Sequence, residues 1–538
     1  MKKIYTIILS VIVLCTTASC EQEFLEREAT DAIAEEKIFE DPALMELFLN
    51  NMYLDVPSFD FHLYDNITDE SRSFWGGAPR NVVEGQWMAD SNPMEYWPYD
   101  AIRRTNTFLD KIDGTLIDDD QKAAYKGQVK FLRALQYFKM IKRYGGVPII
   151  TEPQELTDDL FVERQTLDES FQFVIRELEE AIELLPVTYG SRAIDVGRPN
   201  KYSAKAYLGR VWLYYASPLY NEDNDITRWE KAAAINKEVI DENVYNLHDN
   251  FRRIMLDKNN EEEIFSVQFQ KPFRQHGWDS WHQPDSRSKN SAVARSPVQE
   301  FVDAFEMKNG KAITEPDSGY DPANPYLNRE PRFYETLIVN GSTFGFQGLP
   351  VYMHVEAPID GINTPYATIT GYLMRKGTDE TNQEYFGNTG SDQNWIELRF
   401  AEVLLNYAEA QNEAAGPDPS IYNAVQRIRQ RAGLEPYQLS PGLSKEEMRE
   451  TIRHERYIEL AFEQKRYWDL RRWKTAIEKL DGKFFHAMYI TPQADDSYTY
   501  ETKPLTQGPY VFQEKMYFMP IPQREIEKNP NLEQNPGW

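Results

Sequence analysis

Cysteine is almost absent: the 538 residues contain only Cys15 and Cys20, both near the start of the chain. Two lysines follow the first methionine, an apolar run covers 4–14, and small or hydroxyl-bearing residues lead up to Cys20. This order is typical of a secretory signal peptide, and a cysteine at the cleavage site is typical of a bacterial lipoprotein. We predict a signal peptide over 1–19 and lipidation of Cys20, which would leave no thiol for a disulfide. The alternative is an ordinary secreted protein in which Cys20 is incidental.

Long hydrophobic runs are also missing. A membrane-spanning helix needs about 20 apolar residues, and neither 4–14 nor any later stretch is that long. A lipidated chain would therefore be held at the membrane by its acyl chains, with the whole fold outside the bilayer.

Positive charge is scarce, since the formal net charge is -27. Nucleic acid is therefore not an expected partner, because binding it requires clustered Lys and Arg that neutralise phosphates. The patterns H-E-x-x-H, G-x-S-x-G and G-x-x-x-x-G-K-[ST] do not occur. The seven histidines are scattered, and the close pair His276 and His282 lacks the arrangement of carboxylates expected of a metal site. The sequence therefore predicts no enzyme, no cofactor and no metal site.

Helical periodicity dominates what is present. Glycines at 145–146 followed by Pro148 end one helix, whose segment 131–141 is apolar on most faces and is predicted to be buried. A second, amphipathic helix of about four turns is predicted before Pro186, with Phe173 as the apolar residue that does not fit its face. Its apolar positions are Phe171, Val174, Ile175, Leu178, Ile182 and Leu185.

Short polar loops join several further helical patterns, which favours antiparallel helix pairs. Residues 208–212 partly match the core of a tetratricopeptide helix. We predict a mostly α fold built on a tetratricopeptide-like scaffold of helix pairs. The further helical patterns cover 97–112, 200–217, 229–242, 397–414, 419–432 and 445–480.

Two segments, 56–96 and 270–395, have no sustained helical period and are rich in Gly, Pro, Asn, Asp and aromatic residues. Long irregular segments on a rigid scaffold are usually functional or packed loops. We predict that these two segments carry the ligand surface. Short strands are predicted over 264–269 and 335–339.

The chain contains 11 Trp, 32 Tyr and 28 Phe. Most of these rings should pack in the core, so the location of each tryptophan matters. We predict packing roles for the tryptophans on or beside helical patterns and at the end of the chain, namely Trp97, Trp212, Trp229, Trp395, Trp468, Trp473 and Trp538. The remaining four lie in the irregular segments: Trp75, Trp87, Trp278 and Trp281.

Charged residues are densest over 454–472. A catalytic interpretation would make Glu455 or Glu459 an acid or a base, whereas a structural one pairs carboxylates and arginines at i,i+3 and i,i+4 along one helix. We favour the structural interpretation. Residues 221–225 suggest either a calcium loop, though without the glycine and final glutamate of an EF-hand, or the cap of the following helix, which we favour. The charged residues over 454–472 are His454, Glu455, Arg456, Glu459, Glu463, Arg466, Asp469, Arg471 and Arg472.

In their order along the chain, seven segments resemble the SusD/RagB family of nutrient-binding lipoproteins, and so does the cysteine at the predicted cleavage site. Position 464 carries Gln, where the family pattern usually has Gly. The segments are 99–109 (YDAIRRTNTFL), 127–148 (GQVKFLRALQYFKMIKRYGGVP), 177–186 (ELEEAIELLP), 197–214 (GRPNKYSAKAYLGRVWLY), 397–413 (ELRFAEVLLNYAEAQNE), 454–473 (HERYIELAFEQKRYWDLRRW) and 520–538 (PIPQREIEKNPNLEQNPGW).

The resemblance implies a SusD-like fold of tetratricopeptide-like helix pairs with a large irregular, loop-rich part that binds the ligand. It implies a non-catalytic lipoprotein of the outer membrane of Bacteroidetes, facing the cell exterior and partnered with a SusC-like TonB-dependent transporter. Glu21 and Glu23 resemble the acidic signal that sends such lipoproteins to the outer face, the alternative being two solvated charges on a tether. The ligand would be an oligosaccharide or polysaccharide, or a peptide in the RagB branch.

Six parts of the chain follow from these patterns. After the signal peptide come a tether with a first helix and then the aromatic loop region, the first scaffold part, the irregular ligand-binding region and the second scaffold part with the C-terminal tail. Their predicted bounds are 1–19, 20–55, 56–96, 97–269, 270–395 and 396–538.

Sugar binding sets a specific physical requirement. A pyranose ring presents an apolar C–H face and a rim of hydroxyls, so its site needs exposed rings with a few polar groups beside them. Trp75 lies before two glycines and near Arg72, whereas Trp278 and Trp281 lie among polar residues. We therefore predict that ligand is bound by Arg72, Trp75, Trp87, Trp278 and Trp281.

Three functions remain open at this point. The first is capture of a glycan for a transporter, and the second is capture of a peptide by a RagB-type receptor. The third, from another class, is hydrolysis of a glycan by a surface endo-glycanase.

Overall fold

The structure is a computed structural model that describes residues 35–59, 63–155, 157–287 and 294–538. The predicted signal peptide and the predicted lipidation of Cys20 lie outside the described residues. Seventeen α-helices occur in the described parts of the chain. They are α1 Glu35–Glu40, α2 Pro42–Met52, α3 Ala78–Val83, α4 Tyr99–Lys111, α5 Asp119–Tyr144, α6 Leu167–Leu184, α7 Lys201–Ala216, α8 Ile226–Asp241, α9 Trp278–His282, α10 Gln299–Ala304, α11 Pro331–Thr336, α12 Phe400–Ala415, α13 Pro419–Arg431, α14 Lys445–Glu459, α15 Arg466–Arg472, α16 Ala476–Leu480 and α17 Gln523–Lys528.

Ten short strands form five separate antiparallel pairs: β1 with β3, β2 with β8, β4 with β7, β5 with β6, and β9 with β10. The two predicted strands correspond to β2 and β4. The strands are β1 Ser71–Arg72, β2 Glu263–Val267, β3 Ser296–Pro297, β4 Leu337–Ile338, β5 Thr343–Phe344, β6 Leu349–Pro350, β7 Leu373–Met374, β8 Trp395–Arg399, β9 His486–Pro492 and β10 Tyr498–Pro504.

The long helices pack in chain order, α5 on α6, α6 on α7 and α7 on α8, after which α8 packs on α12 and α12 on α13 and α14. The predicted mostly α fold is confirmed. Segment 131–141 of α5 is buried throughout, as its apolar composition predicts. Among the helices of the described residues, none combines the length and the apolarity needed to cross a membrane.

Local sequence explains where the scaffold helices begin and end. Thr166 and Glu169 form a capping box at the start of α6, in which each side chain bonds to the backbone of the other. Gly145 follows α5 with a φ of 77°, a conformation that glycine adopts without steric cost. Phe173, which did not fit the apolar face of α6, is buried against Tyr137 of α5, with ring centroids 5.0 Å apart. Asp225 caps α8, accepting a hydrogen bond from the backbone of Thr227 at 2.9 Å, as the capping interpretation predicts.

The prediction of one helix over 445–480 is wrong, because the chain breaks between α14 and α15. Phe462 and Gln464 in this break have φ values of 60° and 57°. Side chains rarely adopt this left-handed conformation, whereas glycine does so freely. The structure thus gives a physical reason why the family pattern has glycine at the position of Gln464.

The charges of 454–472 do pair, but mostly not along one helix as predicted. Glu459 binds Arg332, Arg399 and Arg431, which lie on other elements. Glu455 binds Arg332 at 2.5 Å, and Arg472 binds Glu409 of α12 at 2.5 Å. These side chains are buried, so their charges join separate elements of the fold. The pair of Arg472 with Asp469 does follow the predicted i,i+3 spacing, at 2.8 Å.

Candidate functional site

An exposed cluster of three rings lies where the two irregular segments meet. The ring centroid of Phe74 is 5.8 Å from that of Trp75 and 5.5 Å from that of Tyr366, and the Trp75 and Tyr366 centroids are 6.1 Å apart. Trp75 is 38% exposed and Tyr366 54% exposed, whereas Phe74 is partly buried. We call these three residues the aromatic triad.

Strand β3 links the segment that carries Phe74 and Trp75 to the loop that carries Tyr366. It pairs with β1 and places Ser296 opposite Arg72. Arg72 lies two residues before Phe74 in the chain. The hydroxyl of the same Ser296 accepts a hydrogen bond from the backbone of Ile369 at 3.3 Å, which ties the loop of Tyr366 to this strand pair.

The backbone around the triad is suited to close approach by a ligand. A side chain at Gly76 or Gly77 would meet nothing within 4 Å, so the chain beside Trp75 faces open space. Tyr366 has a φ of 68°, a strained conformation for a bulky residue. Such strain persists only where the surrounding structure holds it, and it is concentrated at functional sites.

Arg72, predicted to contact the ligand, is buried at 2% exposure. Its guanidinium donates to the carbonyls of Thr68 and Ser71 and lies 4.2 Å from the ring centroid of Phe485. Burial also lowers the pKa of Arg72 to about 10. Arg72 therefore positions the loop that carries Trp75, and the expectation that it would be accessible to a ligand is wrong.

The expectation of exposed rings is also wrong for Trp87 and Trp278, which are 3% and 0% exposed. Trp87 is covered by Trp538, whose ring centroid is 4.6 Å away. Trp278 packs on Phe59 at 4.9 Å and beneath the guanidinium of Arg295 at 5.0 Å. A covered indole cannot offer a face to a sugar, so both rings act in packing.

The exposure of Trp281 is intermediate between that of Trp75 and that of Trp278. It is partly buried, and its indole nitrogen donates to the side chain of Asn388 at 2.8 Å. Within the described ranges, no ring contact joins Trp281 to Trp75. The structure thus brings Trp75 together with Phe74 and Tyr366, and not with the tryptophans of 278–281.

A second candidate surface surrounds the turn between β5 and β6. Gly345 and Gly348 have φ values of 80° and 58° and hold Phe346 at the tip, where it is 70% exposed. Beside it is a pocket of about 210 Å³ that combines amide, guanidinium, carboxylate and phenol groups. These polar groups belong to Gln283, Arg287, Gln347, Glu380, Asn382, Gln383 and Tyr385.

This pocket is connected to the loop of the aromatic triad. The backbone of Ser286, next to Arg287, donates to the carboxylate of Asp360 at 2.9 Å, and Asp360 precedes Tyr366 in the same loop. The pocket therefore adds hydrogen-bonding groups on a segment that is tied to the loop carrying Tyr366.

A buried polar cluster supports the pocket from below. Asp279 accepts hydrogen bonds from Asn382 at 2.7 Å, Ser391 at 2.9 Å and Gln393 at 2.7 Å. Burial raises the pKa of Asp279 to about 6, and burial lowers that of His276 to about 4. Both residues are inside the fold, so we assign them to the support of the loops.

Of the residues on these candidate surfaces, the sequence predicted Trp75 and did not point to Phe74, Tyr366 or Phe346. Phe74 could have been inferred because it is next to Trp75. The turn Gly345–Gly348 is a weak signal for Phe346, since paired glycines often bound a tight turn that displays the residues between them. No local signal connects Tyr366 with Trp75, because only the folded chain brings them together.

Comparison with known proteins finds the same architecture. Residues 261–538 match the model of the SusD family, and residues 23–213 match a family described as starch-binding and associating with the outer membrane. The chain therefore belongs to the SusD family, as the resemblance predicts.

Individual relatives agree with this assignment. SusD-like protein P2 of Formosa agariphila is 26% identical over 98% of both chains. The starch-binding protein SusD of Bacteroides thetaiotaomicron is 28% identical over 36% of this chain and 32% of its own length. Among solved structures, a SusD-like protein of Bacteroides fragilis superposes with a TM-score of 0.80 at 29% identity, covering 94% of this chain and 99% of that one.

Proposed function

We propose that this protein captures a glycan at the outer surface of the cell and delivers it to a SusC-like TonB-dependent transporter. The observation that carries the proposal is the aromatic triad of Phe74, Trp75 and Tyr366. Clustered, partly exposed rings match the apolar C–H face of a pyranose, and they lose little conformational entropy on binding. The starch-binding description of the matching family, and the name of the relative SusD, support glycan as the ligand class.

In this proposal the irregular parts 56–96 and 270–395 carry the ligand surface. Trp75 and Tyr366 supply the faces on which sugar rings stack. Hydrogen bonds to hydroxyls come from neighbouring polar groups, including the pocket beside Phe346. Binding and release need no covalent step, so we propose no catalytic residue.

The membrane part of the proposal depends on the sequence. The signal-like start of the chain and Cys20 support a lipid anchor, and the family description supports association with the outer membrane. Replacing Cys20 by Ser should release the protein from the membrane fraction and abolish incorporation of labelled palmitate. Palmitate labelling of the Ser variant would contradict lipidation at Cys20.

Affinity electrophoresis on a panel of polysaccharides that includes starch and laminarin tests the ligand class. We expect retardation of the wild-type protein by at least one glycan and its loss in the double variant Trp75→Ala/Tyr366→Ala. The melting temperature should stay within about 2 °C of wild type, because both rings are at the surface. Phe161→Ala, which removes an exposed ring elsewhere, is the matched control and should be retarded normally.

Two results would count against the proposal. Undiminished retardation of the double variant would reject the triad as the site. Release of reducing ends from the bound polysaccharide would replace passive capture with hydrolysis.

A further inference from the structure

A small cavity lies inside the scaffold, between α5, β8 and the break that precedes α15. Its volume is about 50 Å³, enough for a few water molecules or one small anion. Five cationic side chains and three glutamates line it. The wall of this cavity is therefore richer in positive than in negative charge, although the whole chain carries a net charge of -27.

The three glutamates are already engaged. Glu397 binds Lys139 at 3.0 Å and Arg210 at 2.9 Å. Glu402 binds Arg210 at 2.7 Å and Lys465 at 3.4 Å. Glu463 binds Arg399 and Lys376, which lie outside the cavity wall, each at 2.7 Å. These contacts leave no carboxylate of the wall for its two remaining cations.

Those two cations, Lys142 and Arg143, meet at one indole. The Lys142 ammonium lies 4.0 Å and the Arg143 guanidinium 4.8 Å from the ring centroid of Trp468, and Arg471 approaches the same ring at 5.1 Å. Throughout the described ranges, no carboxylate oxygen lies within 4.0 Å of a charged nitrogen of these three residues. Three positive charges are thus gathered around Trp468 without a direct ion pair.

The hydrogen bonds of Arg143 and Arg471 go to neutral oxygens. Arg143 donates to the carbonyls of Met94 at 3.1 Å and Lys139 at 2.7 Å, and Arg471 donates to the carbonyl of Lys142 at 3.0 Å. Arg143 and Arg471 are buried, and Lys142 is partly buried. Cation–π contacts compensate a buried charge only in part, and buried charges are normally paired. Burial, together with the neighbouring charges of Lys139 and Arg143, holds the pKa of Lys142 well below its usual value.

We propose that this cavity binds one small inorganic anion, between chloride and phosphate in size, beside Lys142 and Arg143. The anion would neutralise the surplus charge around Trp468 and so join α5 to α15. The site is separate from the aromatic triad and does not depend on the proposed glycan function.

Anion-dependent thermal unfolding tests the proposal on the full exported chain. In sodium chloride or sodium phosphate the melting temperature should exceed that in sodium glutamate of equal ionic strength by about 2 °C. Lys142→Met removes one of the unpaired charges and should remove most of this difference, whereas Lys142→Arg should keep it. Lys237→Met is the matched control, because Lys237 is exposed and paired with Asp241, and it should respond to anions as wild type does.

Crystals soaked in bromide give a direct measurement that does not depend on any variant folding. We expect an anomalous peak in the cavity beside Lys142. Absence of that peak would overturn the proposal, as would an equal anion response in wild type and Lys142→Met.

Discussion

One carboxylate of the helical scaffold, Glu409, and one of the irregular segment 270–395, Asp279, are buried in different surroundings. In the scaffold, burial alone would raise the pKa of Glu409, but the bidentate contact with Arg472 holds it at about 2. In the irregular segment, Asp279 is bound by amide and hydroxyl groups, and burial raises its pKa to about 6. Glu409 is thus neutralised by an opposite charge, whereas Asp279 is surrounded by neutral donors.

We expect the buried ion pairs to determine stability and the exposed rings to determine binding. Buried ion pairs join distant scaffold elements, and removing one partner leaves an uncompensated charge inside the protein. The irregular segment instead presents exposed rings at its rim, above a buried aromatic and polar layer. Variants of the scaffold should therefore affect folding first, and variants of the rim should affect binding alone.

Acid should produce the largest difference between the two regions. The pKa values of Glu402, Glu409 and Glu463 are about 2, because paired cations outweigh burial, so their stabilisation is complete above about pH 4.5 and is lost as the pH falls towards 2. Each carboxylate should contribute on the order of 1 to 3 kcal/mol to this loss.

The surroundings of His276 and Asp279 in the irregular segment should change little in stability between pH 7 and 4, since the shifted pKa values of these two groups act in opposite directions. The stabilisation from neutral His276 is present above about pH 6.5 and is lost as the pH falls through 4, whereas that from protonated Asp279 is lost as the pH rises through 6. Hydrogen exchange at pH 7, 5 and 3, corrected for intrinsic rates, measures both regions. Faster exchange of residues 276–279 at pH 5 would contradict the expected offset.

Removing one buried charge of the scaffold should lower the stability of the protein nearly as much as acid does. Arg472→Ala leaves Glu409 and Asp469 buried without their guanidinium, and should lower the free energy of unfolding by about 3 to 5 kcal/mol. Arg253→Ala removes the exposed pair with Asp257 and should cost less than about 1 kcal/mol. Urea denaturation of both variants tests the contrast, and equal losses would show that burial does not determine the value of these pairs.

The scaffold was predictable because each helix carries its own signals. Apolar spacing predicted α6, and two glycines with Pro148 predicted the end of α5. The partners of the buried charges were not predictable, since Arg332 and Glu459 are separated by 127 positions in the chain. Local spacing suggested pairs along one helix, but low-dielectric burial favours any arginine that the fold brings within reach.

The candidate site was predictable only in part. Trp75 and Trp278 both lie among glycines and polar residues, so composition alone does not distinguish an exposed ring from a covered one. Trp278 is covered because α9 turns it towards Phe59 and Arg295. Trp75 is exposed because the chain beside it faces open space and its neighbour Tyr366 arrives from another loop.

Two tryptophan variants compare the buried indole of Trp278 with the exposed indole of Trp75. Trp278→Ala empties a fully buried site and should lower the free energy of unfolding by about 3 to 5 kcal/mol. Trp75→Ala should cost less than about 1 kcal/mol in stability but weaken glycan binding by about 30-fold, the loss of one binding hot spot of about 2 kcal/mol. Denaturation and isothermal titration calorimetry on the glycan that retards the wild type measure the two quantities. Equal stability losses would remove the distinction between the buried and the exposed indole.

The smallest effect is expected at the tip of the β5–β6 turn. Phe346 is largely exposed and contributes little to the core, so Phe346→Ala should leave the melting temperature unchanged. If a glycan chain held at the aromatic triad also reaches the pocket beside Phe346, the variant should bind long chains about 3-fold to 5-fold more weakly, a rim contribution below about 1 kcal/mol. Short oligosaccharides held only at the triad should bind it as they bind wild type. An equal loss for short and long chains would place Phe346 at the triad itself, and no loss for either would leave the triad as the whole binding surface.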